Sequence, residues 1–358
     1  MHHKIKNHMK SNKKVVVIIG ILLVLVVASG CEGGKIFGKK QDKRPITDAD
    51  IRKGTDGLDM EFLKNAPPER VFEGRFLTNA SPERVVEGSQ DDEGKVITSD
   101  FPISLRLKNE GASNIEEGIL IFASEKAYVN VSLESKERQE FIIKGKSIYS
   151  PVGDEEFVTL TAGAKRISAQ SETHPSTIFA TACYPYNTIL GTSVCIDTDI
   201  IGEVRGKKVC DIKDLTFSEG QGAPVAVTKI ETRMLPDVDV NKVKPHFIIF
   251  IENKGNGEVV NSSKLDLACS SSGLNYIDFN TLTISASLPQ GDLKCSENVD
   301  PGPAAVRLRE KEDMVRCTLE DGIDIGRDAY TAPLKIELNY GYTFTISKDI
   351  IIEKILKY

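Results

Sequence analysis

The chain has 358 residues, of which 40% are hydrophobic and 27% are charged, and its formal net charge is −6. This length is sufficient for two domains of ordinary size. Because an acidic protein is repelled by the phosphate backbone, the charge argues against nucleic acid as a partner. Trp is absent, while Gly, Thr, Ser, Val and Ile are frequent in the alternating segments. This composition favours β-structure.

The N-terminal segment decides on which side of a membrane the remaining chain lies. Residues 1–14 carry five lysines and no acidic residue, and the next 16 residues carry no charge, as in the basic and apolar regions of a signal peptide. This run of 16 residues is shorter than the roughly 20 apolar residues that a membrane-spanning helix needs, which favours a cleaved signal. Ala28-Ser29-Gly30-Cys31 resembles the lipobox of secreted lipoproteins, in which the cysteine is lipidated. Residues 1–31 are therefore a cleaved signal or an uncleaved anchor, and both place the chain on the extracellular face of the cell membrane, anchored at its N-terminus.

Residues 32–56 form the next segment, which is charged and has no apolar periodicity. Such a composition predicts a flexible, exposed linker. Its basic residues fit either a solvated linker or contact with anionic lipid headgroups at about 1 kcal/mol per charge.

A short repeat follows the linker. FLKNAPPERVFEG (residues 62–74) and FLTNASPERVVEG (residues 76–88) match at ten of thirteen positions. Two short copies are too few for a solenoid, which needs several units to bury a core. We interpret the repeat as a local duplication of an edge strand and its Pro turn, with one copy pairing with the sheet.

From residue 101 onward the periodicity is that of half-buried strands. In FPISLRLKNEG, Ile103, Leu105 and Leu107 alternate with polar residues before the turn residues of Asn109-Glu110-Gly111. Further short strand candidates follow at residues 118–123, 127–133, 140–145, 156–162 and 177–199. Short alternating strands without long helical segments predict an antiparallel β-sandwich domain over residues 57–214.

The second half repeats this plan. At an offset of 144, Asn253-Lys254-Gly255 falls on Asn109-Glu110-Gly111. At an offset of 156, Tyr340-Gly341-Tyr342 falls on Tyr184-Pro185-Tyr186. A second sandwich domain is therefore predicted over residues 222–358, with SEGQGAP (residues 218–224) as a short linker that restricts the domains to a limited hinge.

These motifs resemble a known family. The Asn-x-Gly turn after an alternating strand, the closing Tyr-x-Tyr hairpin and the openers GTDGLDMEFLKNAPPERVFEG and GQGAPVAVTKIE are similar to tandem immunoglobulin-like domains of the CARDB type, found in archaeal and bacterial surface proteins. The resemblance implies an all-β fold of two tandem immunoglobulin-like antiparallel sandwiches. It also implies adhesion, envelope architecture or display of a binding surface, with no shared active site and no cofactor.

Cysteine usage agrees with an exterior location. Besides Cys31 there are three cysteines in each predicted domain: Cys183, Cys195, Cys210, Cys269, Cys295 and Cys317. An even total favours disulfides, but three per domain requires either a bridge between domains or a free thiol in each. In the first domain Cys183–Cys195 and Cys195–Cys210 are alternatives, the latter closing a loop of about 15 residues worth roughly 3 kcal/mol. In the second domain we expect Cys295–Cys317.

No catalytic or metal motif is found in the sequence. Only His174 and His246 follow the N-terminal segment, there is no GxSxG or CxxC, and the start of an EF-hand-like loop at Asp237 lacks the required Gly and Glu. We therefore expect no enzyme activity, cofactor or specific metal site. For the acidic loop residues two alternatives remain: they are solvated, or they bind calcium weakly. These residues are Asp197, Asp199, Asp321, Asp324 and Asp328.

Two features point outward. Sequons at Asn130 and Asn261 are glycosylation candidates, whereas the sequon at Asn79 is followed by Pro82. Ile248 and Phe250 place apolar side chains on the face of their strand that is polar in the first domain, so either another part of the chain or a partner protein covers them. The sequence thus predicts a membrane-tethered surface protein with a structural or adhesive role, able to bind a surface partner or itself. A binding subunit of an envelope or secretion-associated complex is the alternative, and an extracellular enzyme the third hypothesis.

Overall fold

The computed structural model describes residues 45–74, 99–132, 138–200, 202, 206–270, 273–296, 305–326 and 328–355. Cys31, the signal or anchor segment, residues 32–44 of the predicted linker and Asn79 lie outside these ranges. The described residues from Ile46 onward belong to one compact unit.

The described chain is almost entirely β-structure, which confirms the predicted all-β class. Its strands are β1 Leu58–Phe62, β2 Arg70–Phe72, β3 Ser99–Asn109, β4 Ile115–Ala123, β5 Val129–Ser132, β6 Gln139–Ile143, β7 Glu155–Ala164, β8 Thr173–Asp197, β9 Leu215–Thr216, β10 Val225–Pro236, β11 Lys242–Asn253, β12 Glu258–Val260, β13 Thr281–Leu288, β14 Gly291–Cys295, β15 Ala305–Arg307, β16 Glu312–Thr318, β17 Ile323–Asp324 and β18 Ala329–Glu353. The helices are short: α1 Asp48–Ile51, the 3₁₀ turn Ser262–Lys264, α2 Leu265–Ala268 and the 3₁₀ turn Tyr276–Asp278.

Two sheets are formed by these strands. The larger has the order β6-β4-β8-β18-β13-β14-β16-β11-β10-β9, with β2, β12, β15 and β17 attached at its sides, and the smaller has the order β1-β3-β7-β5. Among the described strands every pair is antiparallel except β2 with β18. The sheets therefore agree with the predicted antiparallel sandwich architecture.

Strands β8 and β18 are the centre of the large sheet. Each has 25 residues, and they pair antiparallel from Thr173↔Glu353 to Asp197↔Ala329. The prediction that Tyr-x-Tyr closes a hairpin was wrong, because the alternation continues through both motifs without a turn. Pairing of β4 with β8 ends at Cys183, so the missing N–H of Pro185 interrupts no β4–β8 ladder.

The pairing register relates the two halves of the chain. Tyr186 lies opposite Tyr340, Pro185 opposite Gly341, and Tyr184 opposite Tyr342. Each motif therefore places its first tyrosine against the last tyrosine of the other, as a local two-fold axis between the strands would do. The sequence offset of 156 thus corresponds to this internal symmetry.

One continuous core is shared by both halves. The predicted inward residues Leu105 and Leu107 of β3 belong to the same buried cluster as Phe247, Ile249 and Ile251 of β11. A smaller cluster, containing Ile103, lies between the small sheet and the far ends of β8 and β18. The domain boundaries at residues 57–214 and 222–358 remain a prediction, although a common sheet joins the two ranges.

The predicted first linker is partly folded. Ile51 of α1 is 6% exposed, and its helix begins with a capping box between Thr47 and Asp50. The Gly54 N–H donates to the Glu219 carbonyl at 2.6 Å. Because the buried Ile51 side chain and backbone hydrogen bonds hold residues 47–54, this part of the segment does not form the flexible linker predicted from its charge.

In the predicted linker at residues 218–224, residues 221–224 are buried. Gln221 is 3% exposed; its side-chain Oε1 accepts from the Val227 N–H at 2.8 Å and its Nε2 donates to the Val227 carbonyl at 3.1 Å. The Gly222 N–H donates to the Gly54 carbonyl and the Gly222 carbonyl accepts from Ala112. These bonds leave no free hinge between the halves at this position.

The first repeat copy supplies the end of β1, a turn and β2. The second copy, residues 76–88, lies outside the described residues. The first copy does pair with the sheet, as expected of one copy.

Candidate functional site

The junction between the halves is built from the repeated Asn-x-Gly and Tyr-x-Tyr motifs. In the first half the Tyr186 hydroxyl donates to Asn109 Oδ1 at 3.1 Å, and the Gly111 N–H donates to the same oxygen at 3.1 Å. Asn109 Nδ2 donates to the Ser113 carbonyl at 2.8 Å. A Cβ at Gly111 would lie 1.9 Å from the Tyr186 hydroxyl oxygen. Glycine is therefore required because the tyrosine occupies the space of a side chain.

The second half contains the same arrangement. The Tyr342 hydroxyl donates to Asn253 Oδ1 at 3.3 Å, and the Gly255 N–H donates to that oxygen at 3.2 Å. Asn253 Nδ2 donates to the Gly257 carbonyl at 2.9 Å, and a Cβ at Gly255 would lie 2.2 Å from the Tyr342 oxygen. The two sequence motifs are thus parts of one structural unit that occurs twice.

The remaining tyrosines complete the cluster. The Tyr184 hydroxyl accepts from the Leu58 N–H at 3.3 Å, and the Tyr340 hydroxyl accepts from the Val225 N–H at 3.4 Å. Neighbouring rings among the four tyrosines have centroids 5.6 to 6.3 Å apart. Burial raises the pKa of all four phenols, that of Tyr342 to about 12. These groups are neutral and structural at physiological pH.

Three disulfides involve all six cysteines of the described chain. They are Cys183–Cys269, Cys195–Cys210 and Cys295–Cys317. The Cys183–Cys269 bridge explains how all three cysteines of each half can be paired, because it joins β8 of the first half to the end of the short helix α2 in the second half. The structure contains the expected Cys295–Cys317 bridge, and of the two alternatives for the first half it forms Cys195–Cys210. The Cys183–Cys195 alternative was wrong, because both residues lie on the same strand.

The candidate interaction surface is the outer face of β10, β11 and β16. Its three cross-strand rows are Lys229–Phe250–Met314, Glu231–Ile248–Arg316 and Arg233–His246–Thr318. Ile248 and Phe250 are half-buried, whereas Met314 is 41% exposed. The Lys229 ammonium lies 5.3 Å from the centroid of the Phe250 ring. Ile248, Phe250 and Met314 thus form an apolar stripe. Long charged side chains lie beside it on both neighbouring strands, Lys229 and Glu231 on β10 and Arg316 on β16.

A charged network borders this stripe on β10. Arg233 contacts Asp214 and Glu231, each at 3.0 Å, and Lys229 contacts Glu231 at 2.6 Å and Asp214 at 3.6 Å. The hydrogen bond from Arg233 lowers the pKa of Asp214, and the hydrogen bond to Glu231 raises the pKa of Lys229. Asp214 and Lys229 are consequently charged at neutral pH. The sequence did not reveal this network, because Asp214 precedes β9 and reaches the face only through the fold.

His246 is the titratable group at the third row. Its Nδ1 lies 2.7 Å from the Thr318 hydroxyl. Partial burial, with a smaller effect from Arg316, lowers the pKa of His246. The imidazole is therefore neutral at physiological pH.

The two sequon asparagines differ in their surroundings. Asn130 lies in β5, at the edge of the small sheet, with an exposed side chain. Asn261 is half-buried, and its Oδ1 accepts from the Ser263 N–H at 3.1 Å and from the Ser263 hydroxyl at 2.9 Å. The geometry favours Asn130 as the glycan acceptor.

The acidic loop residues do not converge. Lys208 Nζ lies 2.6 Å from Asp197 and 3.3 Å from Asp199, so one lysine is paired with both of these carboxylates. Within the described ranges no three His, Cys, Asp or Glu side chains are placed to hold a metal ion. His174 is paired with Glu125 at 2.9 Å and stacks on Tyr128. Among the same residues no helix has the length and apolar character needed to cross a bilayer.

Comparison with known proteins provides little further information. No family model matches the chain, and no curated protein matches it. Among solved structures, the CupB6 tip adhesin from Pseudomonas aeruginosa is similar over 84% of this chain and 98% of that chain, at 10% sequence identity and a TM-score of 0.19. A likeness at this level carries no argument about function.

Proposed function

We propose that the protein is a non-enzymatic, membrane-tethered cell-surface protein with a structural or adhesive role. The observation that carries the proposal is the junction, in which a 25-residue strand pair, a shared core and the Cys183–Cys269 bridge join two β-halves into one body. Such a body resists bending between its halves and is suited to holding a surface away from a membrane. The three disulfides favour an oxidising, extracellular location.

The proposal includes features inferred from the sequence. The halves are immunoglobulin-like modules of the CARDB type in an archaeal or bacterial envelope, and Cys31 or the apolar segment before it provides the anchor. The duplicated Asn-x-Gly and Tyr-x-Tyr unit supports a tandem origin for the halves.

The location is tested by the intact mass of protein extracted from membranes, measured with and without reduction. We expect a chain that begins at Cys31 with added lipid and gains six hydrogens on reduction of its three disulfides. An unprocessed chain with free thiols would contradict the extracellular location. The role is then tested by deleting the gene: an adhesive role predicts weaker attachment of intact cells, and a structural role predicts a weakened envelope.

The alternative, a binding subunit of an envelope complex, is favoured by the stripe of Ile248, Phe250 and Met314. Sedimentation of residues 45–358 tests self-assembly through this face. A passive module is a monomer, whereas assembly through the stripe gives an oligomer that Phe250→Gln dissociates. Tyr149→Ser is the matched control, because Tyr149 is 92% exposed in a loop after β6. An oligomer unaffected by Phe250→Gln would exclude this surface as the contact.

A further inference from the structure

Strand β2 docks into a groove at the end of β18. It pairs in parallel with residues 351–353. The Ile351 N–H donates to the Glu69 carbonyl at 2.8 Å, and the Glu73 N–H donates to the Glu353 carbonyl at 2.9 Å. These backbone bonds fix the register but do not depend on side-chain identity.

The side chains of residues 69–74 determine which sequence fits this groove. Val71 is 6% exposed and belongs to the smaller core cluster. The Arg70 guanidinium binds the Glu353 carboxylate. Phe72 points away from the core and is 57% exposed.

Glu73 is the buried anchor of the segment. It is 6% exposed, and its two oxygens accept separate backbone bonds: Oε2 from the Ile167 N–H at 3.2 Å and Oε1 from the Ile355 N–H at 3.4 Å. One carboxylate therefore holds both the chain after β7 and the chain after β18. The groove comprises the edge of residues 351–353 and these two amides.

The second repeat copy carries the same docking residues. Glu83, Arg84, Val85, Glu87 and Gly88 repeat Glu69, Arg70, Val71, Glu73 and Gly74 in the same order. Within this stretch the copies differ only where Val86 replaces the outward-facing Phe72. The one difference is thus at position 72, where the side chain points away from the core.

We propose that residues 83–88 are a second intrachain occupant of this groove, exchanging with residues 69–74 by a shift of fourteen residues. The exchange lengthens the connection from β1 by fourteen residues and shortens the connection to β3 by the same number, so the two loop-closure entropies change in opposite directions. Arg84, Val85 and Glu87 have the same side chains as Arg70, Val71 and Glu73, which make the contacts with the groove. The sequence that fits the groove therefore occurs twice in the chain, at residues 69–74 and 83–88.

The test compares Glu73→Gln, Glu87→Gln and the double variant in the full chain, by hydrogen exchange of the Ile167 and Ile355 amides. We expect each single variant to retain protection of both amides and the double variant to lose it. Glu69→Gln is the matched control, because the groove uses only the backbone of Glu69. If Glu73→Gln alone loses as much protection as the double variant, only the first copy docks and the proposal is wrong.

A second measurement identifies the occupant directly. Arg84→Cys with Glu353→Cys places two thiols where the first copy has its Arg70–Glu353 pair. In the Glu73→Gln background we expect an intrachain disulfide between these cysteines in a monomeric protein. Cross-linked dimers would contradict the intrachain exchange, since the segment would then come from another molecule. Absence of any cross-link would also overturn it, provided that Arg70→Cys with Glu353→Cys does cross-link in the otherwise native chain.

Discussion

At the residue scale, the decisive feature is the contact between a glycine and a tyrosine hydroxyl. Gly111 and Gly255 each lie where a Cβ would overlap the hydroxyl of Tyr186 or Tyr342. The hydroxyl at the same time satisfies the asparagine that orders the turn. The turn, the strand end and the central strand pair therefore depend on each other through a few atoms.

We expect Gly111→Ala and Gly255→Ala to lower the free energy of unfolding, each by about 1–3 kcal/mol or more, as overpacking does. The reason is that backbone or tyrosine must move to admit the methyl group. Gly191→Ala, in β8, is the control, because nothing lies within 4 Å of its Cβ position. Urea unfolding measures all three, and equal stability of the three variants would contradict the argument.

The buried tyrosines predict a loss of stability at alkaline pH. The unfolded chain releases its phenol protons near pH 10, whereas the folded chain retains those of Tyr184, Tyr186, Tyr340 and Tyr342. The unfolded state then binds fewer protons, so the contribution of these tyrosines to the free energy of unfolding is constant below about pH 10 and falls as the pH rises further, through the pKa of Tyr342 at about 12. Urea unfolding as a function of pH, together with phenolate absorbance, measures the effect.

Tyr342→Phe supplies the comparison for this pH dependence. The variant removes one of the four retained protons and should give a shallower decline above pH 10. Ionisation of every tyrosine in one reversible step near pH 10, with the β-structure intact, would show that the cluster is not buried as described.

At the scale of elements, the pairing of β8 with β18 organises the molecule. Both strands alternate buried and outward residues along most of their 25 positions, and β4 and β13 pair with them on opposite sides. The Cys183–Cys269 bridge then fastens α2 to β8. The bridge therefore links the two halves and does not merely close a short local loop.

We expect loss of Cys183–Cys269 to destabilise the protein more than loss of Cys195–Cys210. The sequence separations are 86 and 15 residues, for which the chain-entropy model gives about 4–5 and about 3 kcal/mol. Paired Cys→Ala substitutions and urea unfolding measure the difference. The reverse order would mean that native packing around the bridges outweighs the entropy of the unfolded chain.

At the scale of the whole molecule, the shared core predicts one cooperative unit. Because β18 has its longest partner in β8, residues 222–358 alone would expose one edge of that strand and part of the common core. We expect one unfolding transition, with equal calorimetric and van't Hoff enthalpies, and no folding of residues 222–358 alone. Two separate transitions would instead support independent domains.

The sequence by itself determined the β-class, the inward residues of β3 and β11, and the correspondence between the halves. These follow from local alternation and turn chemistry, which act over a few residues. Only the tertiary structure decided that the Tyr-x-Tyr strands continue and pair with each other, that Cys183 bonds Cys269, and that Ile51 and residues 221–224 are buried. Each of these depends on which distant segment lies alongside, and a local pattern contains no information about its partner. The two similar offsets of 144 and 156 were the one sequence signal that Asn-x-Gly and Tyr-x-Tyr belong to the same unit, and their contact became visible only when the strands were brought together.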